Sequence, residues 1–260
     1  MRLLKDCSLA ALTAGFVAVL VGFTSSAVIV FQAARTLQAS PAEIASWMLA
    51  LGLGMGLTSI GLSLRFRVPV LTAWSTPGAA MLITGAAGVS LPEATGAFLV
   101  SAALITACGF SGWFERMIAR MPLSIASGML AGVLLRFGLD AFGAMVSQFA
   151  LVFPMFCTYL FGRRLLPRYA IVVTLLLGIG IAGVQDQLRL DGLQLELAAP
   201  VFIAPRLSWT ALVGVALPLF VVTMASQNVP GVAVIRASGY RVPISPLIGW
   251  TGAANLLLAP

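Results

Sequence analysis

The stretch from Val68 to Gly88 constrains the fold of this chain more than any other. Its residues are apolar enough to enter a membrane, yet a polar run, Thr72 to Thr76, leads directly into Pro77-Gly78. Only about ten residues, 78–87, then have the pattern of a helix, which covers roughly half of a ~30 Å hydrocarbon core. The other half must cross as extended or irregular backbone. Such backbone is tolerated at membrane depth only where protein surrounds it or where it lines a cavity.

The composition places the rest of the chain in the membrane as well. Of the 260 residues, 60% are hydrophobic and 9% are charged, whereas about a quarter of the residues of a soluble domain are charged. The net charge of +7 does not indicate nucleic-acid binding, because the basic residues lie in small groups between apolar runs. We therefore predict an all-α polytopic membrane protein. It has no His and no metal-ligand spacing of its three Cys, so we expect neither a metal nor a cofactor.

The apolar runs predict nine membrane segments. Helix starts are indicated at Ser40-Pro41-Ala42-Glu43 and at Leu91-Pro92-Glu93. With the N-terminus inside, eleven of the fifteen basic residues lie in inner loops and three in outer loops, so we predict a cytoplasmic N-terminus. The predicted segments are 9–31, 44–64, the broken segment 68–88, 91–113, 122–142, 144–161, 169–184, and two that begin near Trp209 and Ile244.

A weak internal repeat suggests how these segments are organised. Residues 25–47 and 226–250 both run from polar residues through a Val/Ile-rich stretch to Ser-Pro and then Trp. The first copy begins inside and the second outside, so the copies would be inverted about the membrane plane, as in many secondary transporters. We predict a first repeat of seven segments (1–184), an external loop (185–208) and the first two segments of an inverted second repeat (209–260). The counterpart of the broken segment would then lie beyond Pro260, and the chain would be a fragment of a longer protein.

Polar residues beside the broken segment are the first candidates for binding. Trp74, Ser75 and Thr76 precede the half-helix, and Gly78 lies in its first turn. A helix N-terminus suits a small anion such as a carboxylate, and Trp74 could stack on an aromatic ring. A Pro/Gly-interrupted membrane segment is typical of the substrate sites of transporters. The structural alternative is that the hydroxyls cap the half-helix and Trp74 anchors at a membrane interface.

Three other polar groups lie within the predicted segments. Two adjacent amides in a span favour a ligand or a neighbouring helix as their partner. The hydroxyls of the first segment either contact substrate or bond to their own helix. An intramembrane carboxylate is a candidate proton relay, although an Arg four residues away favours a local ion pair. These groups are Ser226, Gln227 and Asn228 before Pro230; Thr24, Ser25 and Ser26; and Arg136 with Asp140.

Two stretches are similar to the hallmark sequences of a known family. PVLTAWSTPGAAML (69–82) and TMASQNVPGVAVIRASGY (223–240) resemble the benzoate membrane transport family of benzoate:proton symporters. The resemblance implies a carrier of seven-plus-seven inverted repeats, shared with nucleobase and sulfate-type carriers, in which two half-helices face each other and a core moves against a gate. It assigns Ser75 and Thr76 to the third segment, Gln227 and Asn228 to the eighth, and Ser25 to the first.

The resemblance implies proton-coupled uptake of benzoate or a related aromatic carboxylate across the bacterial inner membrane. Nucleobase carriers of this fold have an acidic residue in the eighth segment, where this chain has amides. This difference suits a substrate that is itself an anion, but it leaves the proton-coupling group open, with Asp140 as a candidate. A carrier of an inorganic anion or a nucleobase and a non-transporting membrane protein are the alternatives. An enzyme is not expected, since no catalytic motif is found. Protons, an aromatic carboxylate and lipid are the expected partners, and a homodimer is left open.

Overall fold

A computed structural model describes residues 9–119, 135, 138–167, 169–188 and 197–260, and this part of the chain contains helices and no strand. Residues 138–147 are helical, and the remaining helices are labelled in chain order. They are α1 (Leu9–Thr36), α2 (Pro41–Phe66), α3 (Thr76–Gly85), α4 (Leu91–Phe110), α5 (Trp113–Ala119), α6 (Phe149–Leu165), α7 (Ala170–Val184), α8 (Trp209–Ala237) and α9 (Ile244–Leu258).

The lengths of these helices agree with a membrane protein. By length and composition, α2, α4 and α8 can each cross a membrane, and shorter apolar helices occupy residues 11–20, α7 and α9. The prediction of an all-α polytopic membrane protein is confirmed at this level. The inverted repeat, the division into repeats and the orientation stay predictions. Most of the predicted fifth segment, 122–142, lies outside the described residues.

Both predicted helix starts are confirmed in their local chemistry. Ser40 caps α2, since its hydroxyl accepts from the N–H of Glu43 at 3.3 Å and its own N–H donates to the Glu43 carboxylate at 2.7 Å. Ser90 and Glu93 form the same box at the start of α4. These boxes satisfy N–H groups that the first turn of a helix cannot bond internally.

Three predicted boundaries are wrong. The first helix continues to Thr36 instead of ending at Phe31. The sixth segment, predicted from Ala144, is interrupted at Gln148, so that α6 begins at Phe149. The half-helix α3 spans Thr76–Gly85 instead of 78–87. Its earlier start has a clear cause, because proline is well suited to the first turn, where its missing N–H is not needed.

The chain divides into two compact units, of which unit 1 comprises residues 1–25 and 131–196 and unit 2 comprises residues 26–130 and 197–260. In the described part of unit 1, α6 and α7 pack as an antiparallel pair. Gly162 lies against Ala170, and Gly178 lies against Met155, so that small residues on each helix meet the other helix. Phe149 and Phe153 stack on α6 with their ring centroids 4.8 Å apart.

In unit 2, α4 and α9 form a tight antiparallel pair. A Cβ atom on Gly109 would overlap the backbone of Gly249, and a Cβ atom on Gly252 would lie 2.6 Å from the backbone nitrogen of Thr106. Without a large hydrophobic driving force between helices in lipid, close contact through small residues is a main source of helix association. These glycines therefore set the distance between α4 and α9.

The described part of the loop before α8 marks one side of unit 2. The N–H of Val201 donates to the hydroxyl of Ser46 near the start of α2, and the N–H of Arg206 donates to the carbonyl of Pro92 at the start of α4, both at 2.8 Å. The N–H of Ile203 donates to the carbonyl of Pro260, just after α9. The starts of α2 and α4 thus lie on one side. Because α2 ends on the opposite side, the stretch 67–90 must cross the unit again before α4.

Replacing Gly109 by Ala tests the tight contact between α4 and α9. The added methyl group meets backbone atoms of Gly249, which cannot rotate away, so we expect Gly109→Ala to lower the stability by about 1–3 kcal/mol. Gly56→Ala is the matched control, because Gly56 is an exposed helical glycine with no heavy atom within 4 Å of an added Cβ. Thermal unfolding of the purified protein in detergent measures both. Equal melting temperatures for the two variants would contradict the packing described.

Candidate functional site

The extended half of the broken segment begins with a sharp reversal after α2. Arg67 ends α2 in the left-handed conformation, with φ of 56°, and residues 69–75 are then neither helix nor strand. Val68 and Val70 are buried in an apolar cluster with Leu62 and Leu247. The extended backbone is therefore surrounded by protein on at least one side, as its position in a membrane requires.

Hydroxyl groups of α2 act as hydrogen-bonding partners for this extended backbone. The N–H of Val70 donates to the hydroxyl oxygen of Ser63 at 3.0 Å, and that hydroxyl donates to the carbonyl of Val70 at 3.2 Å. The N–H of Thr72 donates to the hydroxyl oxygen of Ser59 at 3.0 Å. The spacing matches, because four helical residues and two extended residues both advance by about 6 Å. One face of α2 thus replaces a neighbouring β-strand.

The side chain of Thr72 extends this hydroxyl ladder of Ser59, Ser63 and Thr72. Its hydroxyl donates to the carbonyl of Met55 at 3.0 Å and lies 2.9 Å from the Ser59 hydroxyl and 2.6 Å from that of Thr58. The N–H and hydroxyl of Thr72 are therefore both bonded to α2. Sequence reasoning missed its partners on α2. Their signal was the i, i+4 spacing of Ser59 and Ser63 in an otherwise apolar span.

Trp74 connects the broken segment to α1. Its indole N–H donates to the hydroxyl of Ser26 at 2.8 Å, and Ser26 is buried, with 6% of its surface exposed. The ring is partly buried and packs against the apolar core of unit 2. The polar edge of the indole is thus held by α1.

Ser75 caps the half-helix α3, as the structural alternative supposed. Its hydroxyl accepts from the N–H of Gly78 at 3.1 Å, and its carbonyl accepts from the N–H of Ala79 at 2.8 Å. Pro77 has no N–H. The N–H and hydroxyl of Thr76 make no hydrogen bond with any residue that the structure describes. The first turn of α3 therefore keeps a single unused backbone donor, that of Thr76.

Gly78 lies where α3 meets α8. The glycine is buried, and a Cβ atom there would lie 2.7 Å from a methyl group of Leu219 and 3.0 Å from the Ser75 hydroxyl. At the other end of α3, a Cβ atom on Gly85 would approach the carbonyl of Gly214. The two helices thus run antiparallel. Gly78 permits both their close contact and the cap, which is a packing role.

The backbone of α8 widens at two places, each followed by proline. Residues 212–216 and 224–228 form π turns, in which the N–H of Leu217 donates to the carbonyl of Leu212 and that of Val229 to the carbonyl of Met224. Pro218 and Pro230 follow directly. A proline ring clashes with the carbonyl four residues earlier in a regular helix, and a wider turn relieves that clash. Single π turns in α-helices are frequent at functional sites.

The second π turn contains the predicted polar triplet. The Ser226 hydroxyl donates to the carbonyl of Val222 at 2.6 Å, on its own helix. The Asn228 amide donates to the sulfur of Met224 at 3.0 Å. The Gln227 side chain is half-buried and makes no hydrogen bond with the described residues. Of the three side chains, Gln227 is thus the one without a hydrogen-bond partner among the described residues, while Asn228 keeps its amide oxygen unused there.

The polar groups of the broken segment and of α8 both lie between two contacts that join these stretches within unit 2. Gly78 faces Leu219, and Ile235 packs against the cluster that contains Val70. Leu219 and Ile235 are about 24 Å apart along α8 at ~1.5 Å per residue, and Gly78 and Val70 are about 21 Å apart along the other stretch. The sets 74–76 and 226–228 both fall between these two contacts. They define the candidate site.

For three other predicted residues, Ser25, Arg136 and Asp140, no position relative to this set is described. The side chain of Ser25 and the whole of Arg136 lie outside the described part of the chain, and Asp140 belongs to unit 1, where its side chain is exposed. No group of three or more His, Cys, Asp or Glu side chains that could hold a metal ion occurs among the described residues. The predicted roles of these residues stay untested.

A groove of about 450 Å³ lies between α2 and α9. Its walls are mostly aliphatic, with Arg65 at one end and Trp250 on α9. None of the residues of the candidate site lines it. The groove is therefore separate from the polar sets described above.

Removing the Ser59 hydroxyl tests the hydroxyl ladder. Ser59→Ala leaves the N–H of Thr72 without its acceptor in a partly buried position, which costs about 1–3 kcal/mol. Thr84→Ala is the control, because the Thr84 hydroxyl bonds only to the carbonyls of its own helix α3. We expect a lower melting temperature in detergent for Ser59→Ala alone. If both variants melt like the parent protein, the ladder does not hold the segment.

Comparison with known proteins supports a common family. The family model of the benzoate membrane transport protein, BenE, matches residues 5–260. The inner membrane protein YdcO of Escherichia coli is 48% identical over 249 residues, which are 96% of this chain and 64% of that protein. The benzoate membrane transport protein of Acinetobacter baylyi is 39% identical over 255 residues, which are 98% of this chain and 65% of that protein.

The chain thus spans less than two thirds of the length of these two relatives. No solved structure matches it. The family model covers nearly the whole chain, including the broken segment and the polar triplet of α8. On this evidence of sequence, the chain belongs to the benzoate membrane transport protein family.

Proposed function

We propose that this protein is a secondary transporter that takes up benzoate or a related aromatic carboxylic acid, together with protons, across the bacterial inner membrane. The observations that carry the proposal are a broken membrane segment and, in the same unit, a π turn that contains an amide without a partner among the described residues. Irregular backbone of this kind is typical of transporter substrate sites. The name of one relative, the benzoate membrane transport protein of Acinetobacter baylyi, supports the choice of substrate.

The residues of the site have three roles: binding the carboxyl group, contacting the aromatic ring and positioning the first turn of α3. The carboxyl group of the substrate binds between the N–H and hydroxyl of Thr76 and the carboxamide of Gln227. The aromatic ring lies against the indole of Trp74, whose N–H is held by Ser26. Aromatic pairs contribute about 0.5–1.5 kcal/mol beyond the area they bury. Ser75 and Gly78 act by holding the first turn of α3 in place.

The transport cycle belongs to the same proposal. It includes an inverted seven-plus-seven repeat, a cytoplasmic N-terminus and the rocking of a core against a gate, all of which the resemblance to the family implies. A nucleobase or inorganic-anion carrier is the alternative on the same fold. The uncharged stretch 209–235, which has amides and no acidic residue, favours the aromatic acid.

Uptake of labelled benzoate into proteoliposomes tests the function. The full-length gene product is reconstituted, and uptake is measured with and without an inward proton gradient, with uracil and sulfate as competitors. We expect gradient-driven uptake that other aromatic acids inhibit and that uracil and sulfate do not. Gln227→Ala should lower the uptake about 5- to 30-fold, because the loss of a hydrogen-bonding group to a ligand costs about 1–2 kcal/mol.

Asn255→Ala is the matched control for this variant. Asn255 is an amide on the exposed face of α9, away from the candidate site, so its removal should leave uptake unchanged. Equal losses in the two variants would remove Gln227 from the site. Transport of uracil or sulfate without benzoate would overturn the aromatic-acid function itself.

A further inference from the structure

We propose that the substrate occupies this site as the neutral carboxylic acid, paired with the carboxamide of Gln227, so that the substrate itself carries the coupled proton. This inference rests on the proposed function, and it assigns the charge state of the ligand. It also removes the need for a titrating side chain in the site. Three observations within unit 2 support it.

The first observation is the loss of two regular helical donors beside Gln227. In a regular helix the carbonyl of Ala225 accepts from residue 229 and that of Ser226 from residue 230. Here the N–H of Val229 donates to the carbonyl of Met224 instead, and Pro230 has no N–H. Two successive carbonyl oxygens thus lose their usual donors. A carboxylate would add two more oxygens with negative charge, whereas a carboxylic acid supplies an O–H donor.

The second observation is the shortage of donors at the start of α3. Anions bind at helix N-termini because several free N–H groups point at them. In α3 the N–H of Gly78 donates to the Ser75 hydroxyl, and the N–H of Ala79 donates to the Ser75 carbonyl. Pro77 has no N–H. One backbone donor, the N–H of Thr76, remains. This N–H and the neighbouring Thr76 hydroxyl, which can donate or accept, suit a neutral acid, whereas a carboxylate would be favoured by the several free N–H groups that this helix start lacks.

The third observation is the position of the charged groups. The stretches 68–85, 209–235 and 244–258, which carry or pack against the site, contain no Asp, Glu, Lys, Arg or His. Charges on the neighbouring elements lie at helix ends. Among the described residues they are Arg35 on α1, Glu43 and Arg65 on α2, Arg67 after it, Glu93 on α4, Glu115 and Arg116 at the start of α5, Arg206 before α8, and Arg236 and Arg241 around the end of α8. Burying a carboxylate without a partner of opposite charge is expensive, and a buried acid then takes up a proton.

A carboxylic acid and a carboxamide are complementary. The Gln227 Nε2–H donates to the acid carbonyl, and the acid O–H donates to the Gln227 Oε1, so that two hydrogen bonds close a ring. The proton balance is simple. One benzoate anion takes up one proton from the outer solution, enters as the neutral acid, and releases that proton into the inner solution. Each cycle therefore moves one proton and no net charge.

Three ligands of similar shape separate the neutral acid from the anion. Benzoate can take up a proton, benzamide is neutral at all relevant pH values, and benzenesulfonate stays anionic. Binding is measured on the full-length protein in detergent between pH 5 and 8. We expect the apparent Kd of benzoate to rise about tenfold per pH unit, because the neutral fraction of an acid with a pKa near ~4 falls at that rate. Benzamide should bind with a constant Kd, and benzenesulfonate should not compete.

Variants locate the effect at the amide. Gln227→Met keeps the length of the side chain but loses both hydrogen bonds, so it should weaken benzamide and benzoate by about 10- to 100-fold. Asn255→Ala should bind both ligands like the parent protein. Because Gln227→Met places an apolar side chain of similar size in a half-buried position, we expect it to fold, and its melting temperature checks this. An effect on both ligands in a protein of unchanged melting temperature supports the proposal.

The opposite pattern would overturn it. If benzenesulfonate competes with benzoate and benzamide does not bind, the site selects the anion, and the inference fails while the transport of aromatic acids stands. If none of the three ligands binds and uracil or sulfate does, the proposed function fails as well. The two failures are therefore distinguishable.

Discussion

The fold of unit 2 depends on how an extended backbone is satisfied inside a membrane. Between α2 and α3 the chain cannot form helical hydrogen bonds, and no water is present in a bilayer core to replace them. Ser59 and Ser63 supply partners at the spacing of a β-strand. This hydroxyl ladder allows α3 to begin in mid-unit, and so it determines where Trp74, Ser75 and Thr76 lie.

On α8, proline residues and not hydroxyl groups determine where polar groups lie. Proline interrupts the bonding of α8 twice, and the helix responds with two wide turns instead of a kink or an end. The second turn leaves the Gln227 amide without a partner among the described residues. A broken segment and a widened helix thus each place polar groups without described partners between the same two contacts of unit 2. Such groups persist in membranes mainly where function requires them.

Much of this arrangement was predictable from the sequence, and the rest was not, for physical reasons. Local signals predicted the breaks, since Pro and Gly act on their own turn, and the capping boxes at Ser40 and Ser90 depend on neighbouring residues. The start of α3 was missed by two residues, because Pro77 can stand inside a first turn as well as before it. The ladder was missed because Ser and Thr in a span commonly bond to their own helix, and only the tertiary structure separates the two cases. The hydrogen bond from Trp74 to Ser26 could not be predicted either, since 48 residues separate the two in the sequence.

The apposition of the broken segment and the second π turn is the central claim, and cross-linking tests it most directly. Thr76→Cys and Gln227→Cys are combined in a background without Cys7, Cys108 and Cys157, and the protein is treated in membranes with a bifunctional thiol reagent that spans about one to two helical turns, or ~5–11 Å. The account predicts an intramolecular cross-link for this pair and none for Thr84→Cys with Gln227→Cys, since Thr84 lies at the far end of α3. Cross-linking of the Thr84 pair in preference to the Thr76 pair would contradict the account.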